Sequence, residues 1–292
     1  MPAHIPDPTP ALPARLPHGL WRDGAPLREL HLRAASERDH AFLLDTLDAG
    51  MTPGARGTAL LERCLENAPP GAAQALGAGD REALLLQLRM QSHGDALNCV
   101  LRCPSRECDE ALELALRVSD LLLPAYADAA PEHTLGLTHG DAHYELRFRL
   151  PNAGDLDHTA ALALDDGPGA GLALLARCVL WARVDGAQVE VRALPVAVCD
   201  AVAEAIAGLD PQAGIEFDMT CPACGRAFVA ELDAASLLLE ELDARARQSL
   251  REVHLLASQY GWSECEILSM SARRRARYVE LILAMQRAGA GS

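Results

Sequence analysis

Cys103-Pro-Ser-Arg-Glu-Cys108 and Cys221-Pro-Ala-Cys224-Gly225 are two versions of one motif, each followed by residues that alternate apolar and polar and then by a leucine triplet. From the second cysteine of each pair to the residue before its triplet (Leu121-Leu122-Leu123 and Leu237-Leu238-Leu239) is twelve positions in both copies. The alternation has the period of a strand. Upstream of each pair lie a second strand pattern and a helical pattern. The repeat therefore predicts an α+β fold built on duplicated helix, strand, cysteine knuckle and strand units, each closing in a Leu-rich turn.

Four thiols presented two at a time from tight turns are the donor set of a tetrahedral zinc ion. Gly225 suits the second turn because it can adopt a left-handed backbone that aims amides at the sulfurs. The first turn has two more residues and is looser. Cys103, Cys108, Cys221 and Cys224 together would close a four-cysteine site of the zinc-ribbon type, joining segments more than a hundred residues apart. Two other readings of these residues stand beside it. Both pairs can be packing residues, or Cys221 and Cys224 can be a redox dithiol, although the strand leading directly into a helix that usually frames such a pair is missing.

Alignment of the copies puts Cys99 opposite Phe217, Leu97 opposite Ile215 and Leu101 opposite Met219, the inward face of a strand, so Cys99 reads as core. Cys64, Cys178 and Cys199 lie in apolar stretches where a thiol packs as a small hydrophobe. Cys265 has no neighbour in sequence to pair with.

Composition narrows the function. The 292 residues carry 41 acidic and 26 basic side chains, the latter all arginine, for a net charge of -15. Such a balance is unsuited to gripping a phosphate backbone, and aromatic residues at 4% offer no stacking platform. No nucleic-acid role is expected. No run is long and apolar enough for a membrane span, and no signal-peptide pattern opens the chain. Nine cysteines without a secretion signal suggest a reducing, cytoplasmic setting and no membrane partner.

The patterning divides the chain into four regions. Residues 1–26 hold seven prolines and read as a disordered arm. Residues 27–125 contain a helical hairpin from Ser36 to about Asn67, a helix opening at Gly79-Asp80, and the first knuckle unit. Residues 126–240 contain a β-hairpin turning at Gly140-Asp141, helices that include Leu172 to about Ala182, and the second knuckle unit. Residues 241–292 are helical, with Ser263-Glu-Cys-Glu266 as a capping box and a last helix from about Ala272. His139 and His143 flank the hairpin turn, where i, i+4 spacing need not make them converge on a metal. The glycine-rich stretch 165–171 lacks the Gly-Lys-Ser/Thr ending of a phosphate loop and reads as a connection. Arg273, Arg274, Arg275 and Arg277 crowd the first turn of the last helix, the wrong end for its dipole, so either solvent and acidic neighbours or an acidic partner must offset them.

The segment His254 to Leu268, with Tyr260-Gly-Trp262-Ser263, followed by Arg273 to Tyr278, resembles the C-terminal end of T4-like phage baseplate hub and hub-assembly proteins, which also occur in contractile injection systems. Gly79-Asp80-Arg81 to Leu88, Gly94 and the Cys103 to Cys108 knuckle resemble the same family's helix and knuckle region. The resemblance implies a non-enzymatic protein that builds a baseplate, as a hub subunit or as a chaperone of the central spike, with hub or spike proteins as partners and structural zinc as the cofactor. It places Trp262, Arg273, Arg274 and Arg277 as candidate partner contacts. Two unequal knuckles and the proline-rich arm depart from a single-knuckle pattern. The rival readings are a thiol-disulfide oxidoreductase acting through Cys221 and Cys224, and a zinc-ribbon nucleic-acid binder.

Overall fold

The computed structural model describes residues 10–165 and 167–290. In chain order they form β1 (Leu12–Arg22), β2 (Ala25–Leu32), α1 (Glu37–Asp48), α2 (Pro53–Cys64), β3 (Leu65–Glu66), α3 (Ala72–Ala75) and α4 (Ala78–His93). The first cysteine hairpin is β4 (Ala96–Arg102) with β5 (Ala111–Arg117), followed by α5 (Val118–Leu121). Next come β6 (His133–His139), β7 (Ala142–Phe148), α6 (Ala153–Asp165), α7 (Gly167–Cys178), β8 (Val179–Val184), β9 (Ala187–Val189) and α8 (Val196–Leu209). The second cysteine hairpin is β10 (Ile215–Thr220) with β11 (Ala227–Leu232), and α9 (Ala234–Tyr260), α10 (Glu264–Leu268) and α11 (Ala272–Ala290) complete the chain. The fold is α+β. Among the described residues no helix is long and apolar enough to cross a membrane.

The chain divides into two compact units, Met1–Ala34 with Thr52–Leu238, and Ala35–Met51 with Leu239–Ser292. In the first unit α4 is the central element. Every residue from Ala78 to Arg89 is buried, the mark of a helix surrounded by protein rather than lying on a surface. Leu84, Leu85, Leu86 and Leu88 supply its apolar bulk. Gly94, with φ +83°, ends the helix and turns the chain into β4. In the same unit β6 to β9 form an antiparallel meander. Tyr144, Leu146, Phe148 and Ala182 of that sheet pack against Val198 and Val202 of α8.

Several expectations change here. Residues 12–26 are not a disordered arm: β1 pairs antiparallel with β2, with a bulge between Arg15 and Leu20. Side chains of α4 take backbone amides within and beside the bulge. The amides of His18 and Gly19 donate to the two carboxylate oxygens of Asp80, at 2.9 Å each, and the Arg15 amide donates to Gln87 Oε1 at 2.9 Å. Proline is tolerated because so much of this strand's pairing is replaced by side chains. Residues 1–9 lie outside the described residues.

The helices expected at Ser36 to Asn67 both form, α1 in the second unit and α2 in the first. The stretch 165–171 is helical from Gly167 rather than a loop, with Asp166 outside the described residues. The helix expected to reach Ala182 stops at Cys178, and Val179–Val184 is a strand paired with β7. The Leu-rich turns are helical. Leu121 closes α5, and the second triplet lies in the opening turns of α9.

The second unit is helical, with Leu256, Ile267 and Ile282 at its centre and Val253, Trp262, Met270 and Tyr278 packed around them. The capping box is present: Ser263 Oγ accepts from the Glu266 amide, and Glu266 Oε2 accepts from the Ser263 amide at 2.8 Å.

Candidate metal centre

Each cysteine pair sits at the tip of a two-stranded antiparallel hairpin. The ladders end at Arg102↔Ala111 and Thr220↔Ala227. One more backbone bond then closes each tip, from the Cys103 amide to the Glu110 carbonyl and from the Cys221 amide to the Arg226 carbonyl, both at 2.9 Å. Beyond these the chains must turn tightly, and both do so the same way. The residue after the second cysteine is left-handed in each copy, Asp109 with φ +47° and Gly225 with φ +72°. Asp is one of the few side-chain-bearing residues that tolerate this region.

The two tips meet. All four sulfurs lie within 4.8 Å of one another, and two pairs that cross between hairpins, Cys103 with Cys224 and Cys108 with Cys221, are each 3.7 Å apart. A tetrahedron with metal–sulfur bonds of about 2.3 Å has edges of about 3.8 Å. The spacing is far too long for disulfides and fits a four-coordinate soft metal such as zinc. Leu112, Met219 and Phe228 wall the cluster on the protein side. Cys103 and Cys221 are buried, Cys108 is half-buried and Cys224 faces solvent.

The electrostatics point the same way. Amides of Cys224 and Ala223 donate to the Cys221 sulfur and bring that thiol down to about 7, against burial. The Glu110 amide favours the Cys108 thiolate, but burial and the three neighbouring sulfurs outweigh it and push the thiol up to about 12. Cys103 is also raised, in spite of the Ser105 amide, by burial and by Cys224 and Cys221. One thiolate is accommodated by backbone donors and the next are opposed by it. A divalent cation at the centre removes that opposition.

Among the described residues this is the one group of His, Cys, Asp or Glu with metal-ligand geometry. His143 is exposed on β7, its Nε2 3.9 Å from Glu145. Cys64 and Cys178 are fully buried, Cys99 lies in the strand core, Cys199 is half-buried and Cys265 is exposed.

The residues of the C-terminal motif lie in the second unit. Trp262 stacks on Tyr260 with ring centroids 4.6 Å apart and meets Tyr278 edge-on at 5.0 Å. Arg273, Arg274 and Arg277 are exposed. Arg275, one of the same cluster in sequence, is 1% exposed and wholly engaged. It donates to Glu37 Oε1 at 2.7 Å, Glu252 Oε2 at 3.0 Å and the Met270 carbonyl at 2.8 Å. Its spacing within the helix could have singled it out, since Arg275, Val279 and Ile282 share one face.

A family model described as T4 bacteriophage base plate protein matches residues 52–238, more than half of the chain and inclusive of both knuckles. The match ends before the His254 to Tyr278 segment. No curated protein and no solved structure matches the chain.

Proposed function

This chain belongs to the T4 bacteriophage base plate protein family, and we propose that it serves in building the baseplate of a contractile tail or injection system, as a hub subunit or as the assembly chaperone of the central spike and hub. In this reading it is not an enzyme, and its one metal is a structural zinc. It acts in the cytoplasm during assembly or as part of the particle, with hub or spike proteins as partners.

The observation that carries the zinc reading is the convergence of four sulfurs from two hairpins on a tetrahedral spacing. Cys103, Cys108, Cys221 and Cys224 would hold the ion, and its chemistry would be that of a cross-link. Metal binding in such a site is folding free energy, because the unfolded chain has no preformed site. A groove of about 1130 Å³ in the same unit is lined mainly by apolar residues such as Leu175, Leu194 and Ile206, a lining for packing more than for chemistry.

The thiol-disulfide alternative has one observation on its side: Cys221 is lowered to about 7 and Cys224 is exposed. Metal analysis separates the two readings. One zinc per chain in protein purified without added metal supports the structural site. Zinc-free protein whose Cys221 and Cys224 oxidise readily would overturn it. For the baseplate role, the test is deletion of the gene in the native host, with electron microscopy of tails and proteomics of purified particles. Loss of complete baseplates is expected, and normal particles would refute the reading.

A further inference from the structure

The last helix carries a surface that the rest of its unit leaves unmatched. Four arginines lie in the first two turns of α11, and only Arg275 has carboxylate partners. Among the described residues no carboxylate lies within ion-pair distance of Arg273, Arg274 or Arg277. The Arg274 guanidinium instead lies 5.9 Å from the Tyr278 ring centre. Cations at a helix N-terminus oppose its dipole, so within the unit this charge is unfavourable and unrelieved.

Further along the same face are Leu281, 55% exposed, and Met285, 73% exposed. Positions 274, 277, 278, 281 and 285 have three- and four-residue spacing and form one stripe. At the Tyr278 edge the stripe continues into Tyr260 and Trp262. Three of the chain's eleven aromatic Trp, Tyr and Phe residues therefore meet at one corner. Aromatic side chains, methionine and arginine are the types enriched where protein interfaces are buried.

From this we infer that the exposed face of α11 docks an acidic amphipathic helix of another protein, its apolar residues on Leu281, Met285 and Tyr278 and its carboxylates on Arg273, Arg274 and Arg277. A second copy of this chain is a poor occupant. An isologous contact sets the same patch against itself, and α11 contains five arginines against the single acid Glu280. A phosphate backbone would answer the arginines but leave Leu281 and Met285 in water. The inference deepens the assembly reading, since it states the chemistry of the partner, and it does not depend on zinc.

The test places a photo-crosslinking amino acid at position 281 of the full chain, expressed in the native host, and maps the adduct by mass spectrometry. The expected adduct is one predominant segment of another protein, with carboxylates flanking apolar positions at three- and four-residue spacing. Its yield should fall by roughly tenfold or more when Arg274→Glu and Arg277→Glu are combined, as for reversal of charges at a complementary interface, and should survive the two Arg→Lys changes. All these positions are exposed, and unchanged thermal melting checks that the variants fold. No adduct, an adduct on a second copy or on nucleic acid, or one on a neutral or basic segment would overturn the inference. The baseplate reading has a separate fate: an acidic helix from a protein unrelated to tails would refute that reading and keep the surface, while tails that fail on deletion of the gene, with no adduct at position 281, would do the reverse.

Discussion

Asp210 accepts a 2.8 Å hydrogen bond from the amide of Gly79, 131 residues earlier in the chain. The carboxylate thereby satisfies one of the open donors at the start of α4, and its other oxygen accepts from the Tyr126 hydroxyl at 2.9 Å. It comes so close that a Cβ on Gly79 would stand 2.0 Å from Asp210 Oδ1. Gly79→Ala should therefore expel a buried carboxylate and cost about 2–3 kcal/mol. Denaturant unfolding of Gly79→Ala, Asp210→Ala and the double variant checks this. The two changes should be strongly non-additive, and simple additivity would mean that the contact does not limit the site.

Asp80, the next residue, is fully buried. Burial above all, with Asp210 adding to it and the His18 and Gly19 amides opposing, pushes its carboxyl up to about 7. A carboxyl raised on folding holds its proton more tightly in the native state. Its contribution is therefore fully present below the unfolded value of about 3.9 and is lost as pH rises to about 7, an effect on the order of 4 kcal/mol. Carboxyl NMR of selectively labelled protein should show Asp80 titrating near neutrality; a midpoint below about 5 would sink the idea.

In the second unit the sign is opposite. Burial would raise Glu37, but hydrogen bonds from His40, Ser249 and Arg275 outweigh it and hold the carboxyl well below the usual carboxylate range. This contribution is present above about 4.3, the unfolded value, and disappears as acid titrates the native group. Arg275→Ala strands Glu37 and Glu252 without their shared cation and should cost on the order of 3 kcal/mol at neutral pH. Hydrogen exchange in α9 and α11 should quicken accordingly, and the difference from the parent should shrink well below pH 4.

Cys103→Ser and Cys221→Ser should each abolish zinc binding and lower the melting temperature, whereas Cys64→Ala and Cys265→Ser should leave the metal in place. Native mass spectrometry, before and after chelation, reads both outcomes. Zinc lost with Cys103 but retained with Cys221 would mean that the hairpins do not share an ion.

The knuckles were legible because ligand spacing is local: two cysteines with two to four residues between them already define half a site. Gly225 announced its left-handed turn, while Asp109 did not, since Asp seldom adopts that conformation and no neighbour marks it. The β1 hairpin was hidden because its backbone is completed by Asp80 and Gln87, side chains about sixty to seventy residues away that no window on residues 12–26 contains. The second leucine triplet read as a turn, although Asp233 caps the start of α9 by accepting from the Ser236 amide at 3.0 Å. Arg275 was inseparable from its neighbours by composition. Its burial depends on Glu37, 238 residues away.

The separation of the two hairpins also sets a timetable for synthesis. Cys108 and Cys221 are 113 residues apart, so at typical elongation rates of 5–20 residues per second the first pair of thiols waits roughly 6–23 s for the second. Throughout that interval the nascent chain presents half a chelate, open to oxidation or to capture by another chain's half. On the zinc reading, an ion could be held by all four sulfurs only after this interval, and its arrival would report that translation has passed the second knuckle.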